Sequence, residues 1–313
     1  MTALIVLSSG GPVPNADRFG TSYVVKTGGR NFLFDCGPAT TAKLAKLGLS
    51  SLDFDQLFIS HHHFDHTADL PAFLLTRWDH SVGKENRLQI FGPEPTVEMI
   101  ERLIGPLGAF AFDWSARVNH PLSQQMHSLR GGDLPRPHPE HDVQNVTTGV
   151  IFDSNEVKVT AQRVEHVQPH LESNAYRLDS PEISIVFTGD ARPCEHLVEL
   201  ATGADVLVTM CGNFQSELIR KGVEAGQIGS VAAGELAAES GVGHLVLAHM
   251  GPEISSREGR IRAEQEIREI YNGKITISDE MSTYPLTHSI YDPHVDVGVH
   301  PHIVRDITRS SSK

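Results

Sequence analysis

Ser60-His61-His62-His63-Phe64-Asp65-His66 follows the apolar run Leu57-Phe58-Ile59 and carries the pattern H-x-H-x-D-H. Apolar residues of that kind read as a core strand. A strand that ends in such a cluster aims several polar groups at one point. Imidazole and carboxylate are the ligands that zinc and related metals take. His61 and His63 are two apart, so in extended chain they point the same way. Asp65 and His66 fall where the chain turns into a helix and can face a neighbouring position. Two ligand sets side by side are expected.

The remaining ligands must come from elsewhere, and three further strand ends offer them. His166 follows a strand at 157–164, Asp190 follows Ile185-Val186-Phe187-Thr188-Gly189, and His249 follows Leu245-Val246-Leu247-Ala248. Sites on sheet scaffolds are commonly built in such places. His170 rivals His166, and the position nearer the strand end favours His166, leaving His170 as a pocket residue. His62 lies between ligands and is expected to pack or meet solvent. Asp35, before Gly37 at a strand end, is a candidate to orient a ligand histidine. Asp69, three residues after His66, is another, with a solvated helix carboxylate as the alternative. The histidines at 120, 127, 138 and 141, and those at 288, 294, 300 and 302, are read as surface or interface residues.

Around the motif, strands are expected at 4–7, 21–26, 31–34, 57–60 and 88–91, with helices at 39–47, 67–77 and 95–104. In the second half strands fall at 157–164, 175–178, 183–188, 206–210, 245–248 and 274–278, and helices at 194–201, 230–239 and 261–271. Strands first, then alternating strand and helix, twice over, suit two sheets packed face to face with helices outside. No linker divides the chain, so a single domain over 1–313 is expected. The stretch 105–145 contains Pro135, Pro137 and Pro139 and reads as a long loop or lid. Residues 282–313 read as a C-terminal extension.

Composition sets limits. The 313 residues are 39% hydrophobic and 21% charged, as in an ordinary globular protein. A formal charge of −13 argues against general nucleic-acid binding. Eighteen histidines against three cysteines favour nitrogen and oxygen ligation. Cys36, Cys194 and Cys211 show no C-x-x-C spacing and read as reduced thiols of a cytoplasmic protein. The first residues lack a basic signal-like segment, and no apolar run is long enough to span a membrane.

Taken together, His61-x-His63-x-Asp65-His66, His166, Thr188-Gly189-Asp190 and Ala248-His249-Met250 resemble the metallo-β-lactamase superfamily. Ser9-Gly10-Gly11-Pro12 and Phe34-Asp35-Cys36-Gly37 match it too, and the resemblance runs from Leu4 to about Leu286. The chain is most similar to the branch holding ribonuclease Z and arylsulfatase-type hydrolases. The resemblance implies an α/β chain folded as a four-layer αββα sandwich. It implies one metal at His61, His63 and His166, a second at Asp65, His66 and His249, and Asp190 bridging them. Asp65 and Asp190 would be the catalytic carboxylates. Two divalent ions, zinc by default with manganese or iron as alternatives, would activate water for hydrolysis. A homodimer is also implied.

Two departures bear on substrate. Ribonuclease Z carries a tRNA-gripping arm between the positions of His166 and Asp190, and here only two strands and a turn fit there. That family has His-Glu-Ala where this chain has Thr209-Met210-Cys211, so the carboxylate that helps protonate the leaving group is missing. These departures direct the expectation to a small-molecule substrate and away from nucleic acid. The reading is hydrolysis of a small, aromatic ester, a sulfate ester or phosphodiester, with Trp78, Phe110, Phe112 and Trp114 as a candidate aromatic wall. Alternatives are a lactone, a carbon–halogen bond on an activated ring, ribonuclease Z-like RNA processing, and a non-catalytic metal-binding role.

Overall fold

Three separate apolar clusters define the architecture of the chain, which was obtained as a computed structural model describing residues 2–13, 15–82 and 87–286. Fourteen strands form two seven-stranded mixed sheets among the described residues. The strands are β1 (Ala3–Ser8), β2 (Ser22–Thr27), β3 (Arg30–Phe34), β4 (Gln56–Phe58), β5 (Gln89–Gly92), β6 (Asp142–Asn145) and β7 (Gly149–Asp153). They continue with β8 (Lys158–Val164), β9 (Ser173–Asp179), β10 (Ser184–Phe187), β11 (Val206–Cys211), β12 (His244–Met250), β13 (Lys274–Ile277) and β14 (Ser282–Pro285). The first sheet runs β14-β1-β2-β3-β4-β5-β6 and the second β13-β12-β11-β10-β9-β8-β7.

One cluster, with Phe34, Phe58, Phe91, Tyr176 and Phe187, fills the space between the sheets. Phe34 and Phe187 stack across it with ring centroids 4.2 Å apart. A second cluster packs Leu57, Ile59 and Ile90 of the first sheet against Leu44, Leu70, Phe73 and Ile100 of its outer helices. A third packs Leu207, Leu245 and Leu247 of the second sheet against Leu197, Leu236 and Ile267 of helices Glu195–Ala201, Ser230–Glu239 and Arg257–Arg268. Each sheet is therefore covered on both faces, and its central strands are largely apolar, as in β12 and β11, every residue of which is buried. This is the packing of two sheets expected from the element order, and the four-layer αββα sandwich that the resemblance implies.

Sheet topology gathers the site. β3, β4 and β5 run parallel, as do β10, β11 and β12. The carboxyl ends of each parallel set fall on one edge, and the ligand candidates follow those ends.

Residues 105–145 depart from the expected loop. Helices Ala111–Asn119 and Pro121–Leu129 form there, and β6 pairs in parallel with β5. Proline density misled because Pro121 opens a helix, where its missing N–H costs nothing, and the other prolines, Pro106, Pro135, Pro137 and Pro139, fall outside the two helices. The segment is anchored to the far end of helix Leu70–His80, through Arg136 to Asp79 at 2.6 Å and Trp78 Nε1 to the Pro137 carbonyl at 3.0 Å. Ten residues of helix separate Asp79 from Asp69, about 15 Å of rise from the ligand-bearing end. The aromatic wall is not formed: Trp78 and Trp114 are buried within this segment's packing and Phe112 projects into solvent. His288, His294, His300 and His302, and residues 287–313 of the C-terminal extension, lie outside the described residues. No helix among the described residues is long and apolar enough to cross a membrane.

Candidate metal centre

β4 ends at Phe58, and Ile59-Ser60 carry the chain out of the sheet beside Asp35, which follows the adjacent parallel strand β3. The Asp35 backbone occupies the left-handed region at φ 57°. Its carboxylate accepts from the Ser60 N–H at 2.7 Å and from the Ser60 hydroxyl at 2.9 Å. The chain then turns into the short helix Phe64–Thr67. Gly20 and Gly37 leave no room for a side chain there: a Cβ on either would collide with the Asp65 backbone.

Two groups of side chains converge at this edge. The first is His61, His63, His166 and Asp190, and the second is Asp65, His66 and His249; within each, the candidate ligand atoms lie within 4.8 Å of one another. His61 Nε2 is 3.0 Å from His63 Nδ1, and His166 Nε2 is 3.4 Å from that same nitrogen. Asp190 Oδ2 stands 3.9 Å from His61 Nε2 and 3.8 Å from His166 Nε2. The same oxygen is 3.2 Å from His249 Nε2, and Oδ1 is 3.4 Å from His66 Nε2. Asp190 thus reaches both groups. Asp65 Oδ2 lies 3.1 Å from His249 Nε2 and 3.6 Å from His66 Nε2.

The remote ring nitrogens are anchored in three cases. His66 Nδ1 meets Asp35 Oδ2 at 2.8 Å, His61 Nδ1 meets the Ser60 hydroxyl at 3.0 Å, and His166 Nδ1 donates to the Gly226 carbonyl at 3.0 Å. Such partners fix ring orientation and tautomer. Ser60 and Gly226 carried no recognisable signal in the sequence. Ser60 merely precedes the motif, and Gly226 lies 60 residues from the histidine it serves.

Charge is distributed unevenly between the groups. Burial, with the neighbouring His66, holds His61 well below the ordinary imidazole value. Burial and His166 lower His63 as well. Both stay neutral with lone pairs exposed to the cluster. Burial opposes ionisation of Asp190, but facing His249 and His66 outweigh it and hold the carboxyl well below the usual range. Asp65 is likewise lowered against its burial by the hydrogen bond from His249 and the charge of His66. His66 is pushed well above its usual value, burial being overcome by Asp35 and Asp190. Asp65 and Asp190 are thus held ionised at this corner, as a place for a cation requires.

The residues fit metal ions. His66 Nε2 and Asp190 Oδ1 are buried, face each other and complete no well-formed hydrogen bond. Buried polar atoms rarely stay unpaired, and here the unpaired ones are a nitrogen and an oxygen ligand type in a nitrogen- and oxygen-rich set.

Other candidates lie apart. His170 is exposed and outside both groups. Asp69 accepts the Thr41 backbone N–H at 2.5 Å, which ties it to the start of helix Thr40–Lys46 and to no ligand histidine. His62 turns away and bonds the Thr96 hydroxyl at 2.8 Å, as a packed histidine would.

Comparison with known proteins agrees with this geometry. The family model of the metallo-beta-lactamase superfamily matches residues 15–207. Ribonuclease Z of Mycolicibacterium gilvum (strain PYR-GCK) is 32% identical over 291 residues, 90% of this chain and 95% of that protein. Among solved structures, the metallo-beta-lactamase fold protein YhfI from Bacillus subtilis superposes with a TM-score of 0.69 at 20% identity, over 90% of this chain and 98% of its own. Human tRNase Z, short form, gives 0.64 at 20% identity, over 90% and 98%. The relatives named ribonuclease Z overturn the expectation that nucleic acid is not a partner. That expectation leaned on the missing arm and the missing carboxylate at Thr209-Met210-Cys211, and on net charge, a whole-molecule sum that says nothing about the field beside one site. The chain belongs to the metallo-β-lactamase superfamily and is a metal-dependent hydrolase.

Proposed function

We propose that the chain cleaves a phosphodiester bond in RNA, in the manner that the name of its ribonuclease Z relatives describes. The observation that carries this reading is the 32% identity to such a protein across 95% of its length. It replaces the small aromatic ester of the sequence reading. The two ligand groups support a pair of divalent ions, His61, His63 and His166 holding one, Asp65, His66 and His249 the other, and Asp190 shared. The imidazole-rich donor set favours zinc, with manganese the main competitor. Bound there, two such ions lower the pKa of water and neutralise charge on a phosphoryl group.

The chain's own groups then have distinct work. Asp190 supplies an ionised carboxylate between the groups, buried and held without rotation by the imidazoles around it. Asp65, also held ionised, is placed to accept a proton at a carboxylate oxygen. The end of β11 supplies no acid for the leaving group. Thr209 and Met210 carry none, and burial pushes the Cys211 thiol up to about 12. The proton for the leaving oxygen therefore comes from elsewhere than the end of β11. Unpaired Cys36, Cys194 and Cys211 suit a reducing, cytoplasmic compartment.

The reading is tested with metal-stripped and zinc-loaded protein on a precursor tRNA bearing a 3′ trailer, an aryl phosphodiester and an aryl sulfate. Zinc-dependent cleavage of the RNA, with affinity that falls steeply as salt rises, is expected. Turnover of the sulfate with the RNA left intact would overturn it.

A further inference from the structure

His249 differs from the other anchored imidazoles of the centre. Its remote nitrogen, Nδ1, is buried and has no hydrogen-bond partner, whereas His61, His66 and His166 each have one. Its backbone lies in the left-handed region at φ 45°, which a non-glycine residue occupies only when its surroundings impose it. Something other than a hydrogen bond at Nδ1 must set the ring.

The loop joining β1 to β2, whose described residues are 9–13 and 15–21, meets that ring at Gly11. Gly11 is so close that a Cβ there would sit 2.8 Å from His249 Cε1. Ser9 accepts the Met250 N–H at 2.8 Å, and Gly10 pairs with Met250. One carboxylate closes this loop at both ends. Glu280 Oε1 accepts the Ser9 N–H at 3.1 Å and the Phe19 N–H at 2.6 Å. Its other oxygen pairs with Lys43 Nζ, in an ion pair whose side chains are only 10% and 8% exposed. Lys43 in turn donates to the Leu7 carbonyl at 3.1 Å and the Ser8 hydroxyl at 2.8 Å. Arg18 ties the same loop to the Ser278 carbonyl at 3.0 Å and pairs with Asp279.

We infer that Glu280 is a positioning residue for the metal centre: with Lys43 it clamps loop 9–21, and the clamped loop presses Gly11 on His249 and fixes the second ligand group. The inference rests on the dinuclear reading above. Glu280 replaces, at a distance, the hydrogen bond that His249 lacks. The ion pair is buried, so loss of either partner leaves the other's charge uncompensated and frees the loop.

Zinc affinities of the metal-stripped full chain, measured by competition with a chromophoric chelator, test this. Wild type should bind two ions. Glu280→Ala should weaken one of them by roughly 10–100-fold, the range typical when an outer partner of a ligand is lost, and leave the other within about twofold. Glu280→Gln keeps an oxygen for both N–H groups and should recover part of that loss, whereas a merely structural role would weaken both ions alike. Gly11→Ala, which touches the ring directly and leaves the ion pair intact, should weaken the same ion and decides the matter if Glu280→Ala does not fold. Two ions bound with unchanged affinities in folded Glu280→Ala or in Gly11→Ala, or both weakened alike, would overturn the clamp. Fewer than two ions in wild type would instead overturn the dinuclear reading beneath it.

Discussion

Asp35 Oδ2 lies 2.8 Å from His66 Nδ1, and on the other side of the ring His66 Nε2 lies 3.4 Å from Asp190 Oδ1. The first contact keeps a ring proton on Nδ1 and leaves Nε2 as the nitrogen that faces the centre. Asp35→Ala should therefore lower zinc affinity and kcat by roughly 10–100-fold. Isothermal titration and initial rates at saturating zinc check it; a variant that regains full kcat at high zinc without loss of affinity would contradict the role.

His166 and His170 separate two readings of one stretch of chain. His166 faces His63 and Asp190, while His170 is exposed and outside both groups. His166→Ala should cost more than the roughly 10–100-fold of an outer partner, and His170→Ala should leave rates within about twofold. Equal losses in both variants, measured side by side on an aryl phosphodiester, would place His170 in the site.

Asp69 serves the helix Thr40–Lys46 through the Thr41 N–H. Asp69→Ala should destabilise the fold by about 0.5–2 kcal/mol, as loss of a helix-capping group does, without changing zinc affinity. Chemical denaturation alongside a zinc titration distinguishes this from a ligand-orienting role, which would move the titration.

His244 gives stability a pH dependence away from the centre. Burial and the neighbouring Lys274 lower its pKa from 6.5 to about 4, and its Nε2 pairs with the Thr276 hydroxyl at 2.8 Å. Below pH 6.5 the unfolded chain takes up a proton that the folded chain refuses. Stability should fall as pH drops from 6.5 to 4 and level off below. At ~1.4 kcal/mol per unit the contribution is at most roughly 3 kcal/mol. His244→Leu should flatten that window in urea denaturation curves, and an unchanged slope would exclude His244 as its source.

The sequence by itself determined the elements and the local half of the centre. Period-two and continuous apolar runs produce strands wherever they occur, and β1, β4, β10, β11 and β12 fall within a residue or two of where those runs place them. His61, His63, Asp65 and His66 are neighbours in the chain, so their convergence needs only a strand and a turn. Prolines misled at 105–145 because their effect depends on position in a helix, which composition does not record. The short edge strands β7 and β14 and helix Gln215–Lys221 escaped for a related reason, since their residues are half-exposed and gain their structure from neighbours. Tertiary structure alone decided the rest. It brought Asp35 to His66, Gly226 to His166 and Glu280 to both ends of the loop over His249, because parallel strands in two sheets deliver distant segments to one edge. Hydrogen bonds between residues that far apart depend on sheet order and register, and those are set by burial of the whole sandwich.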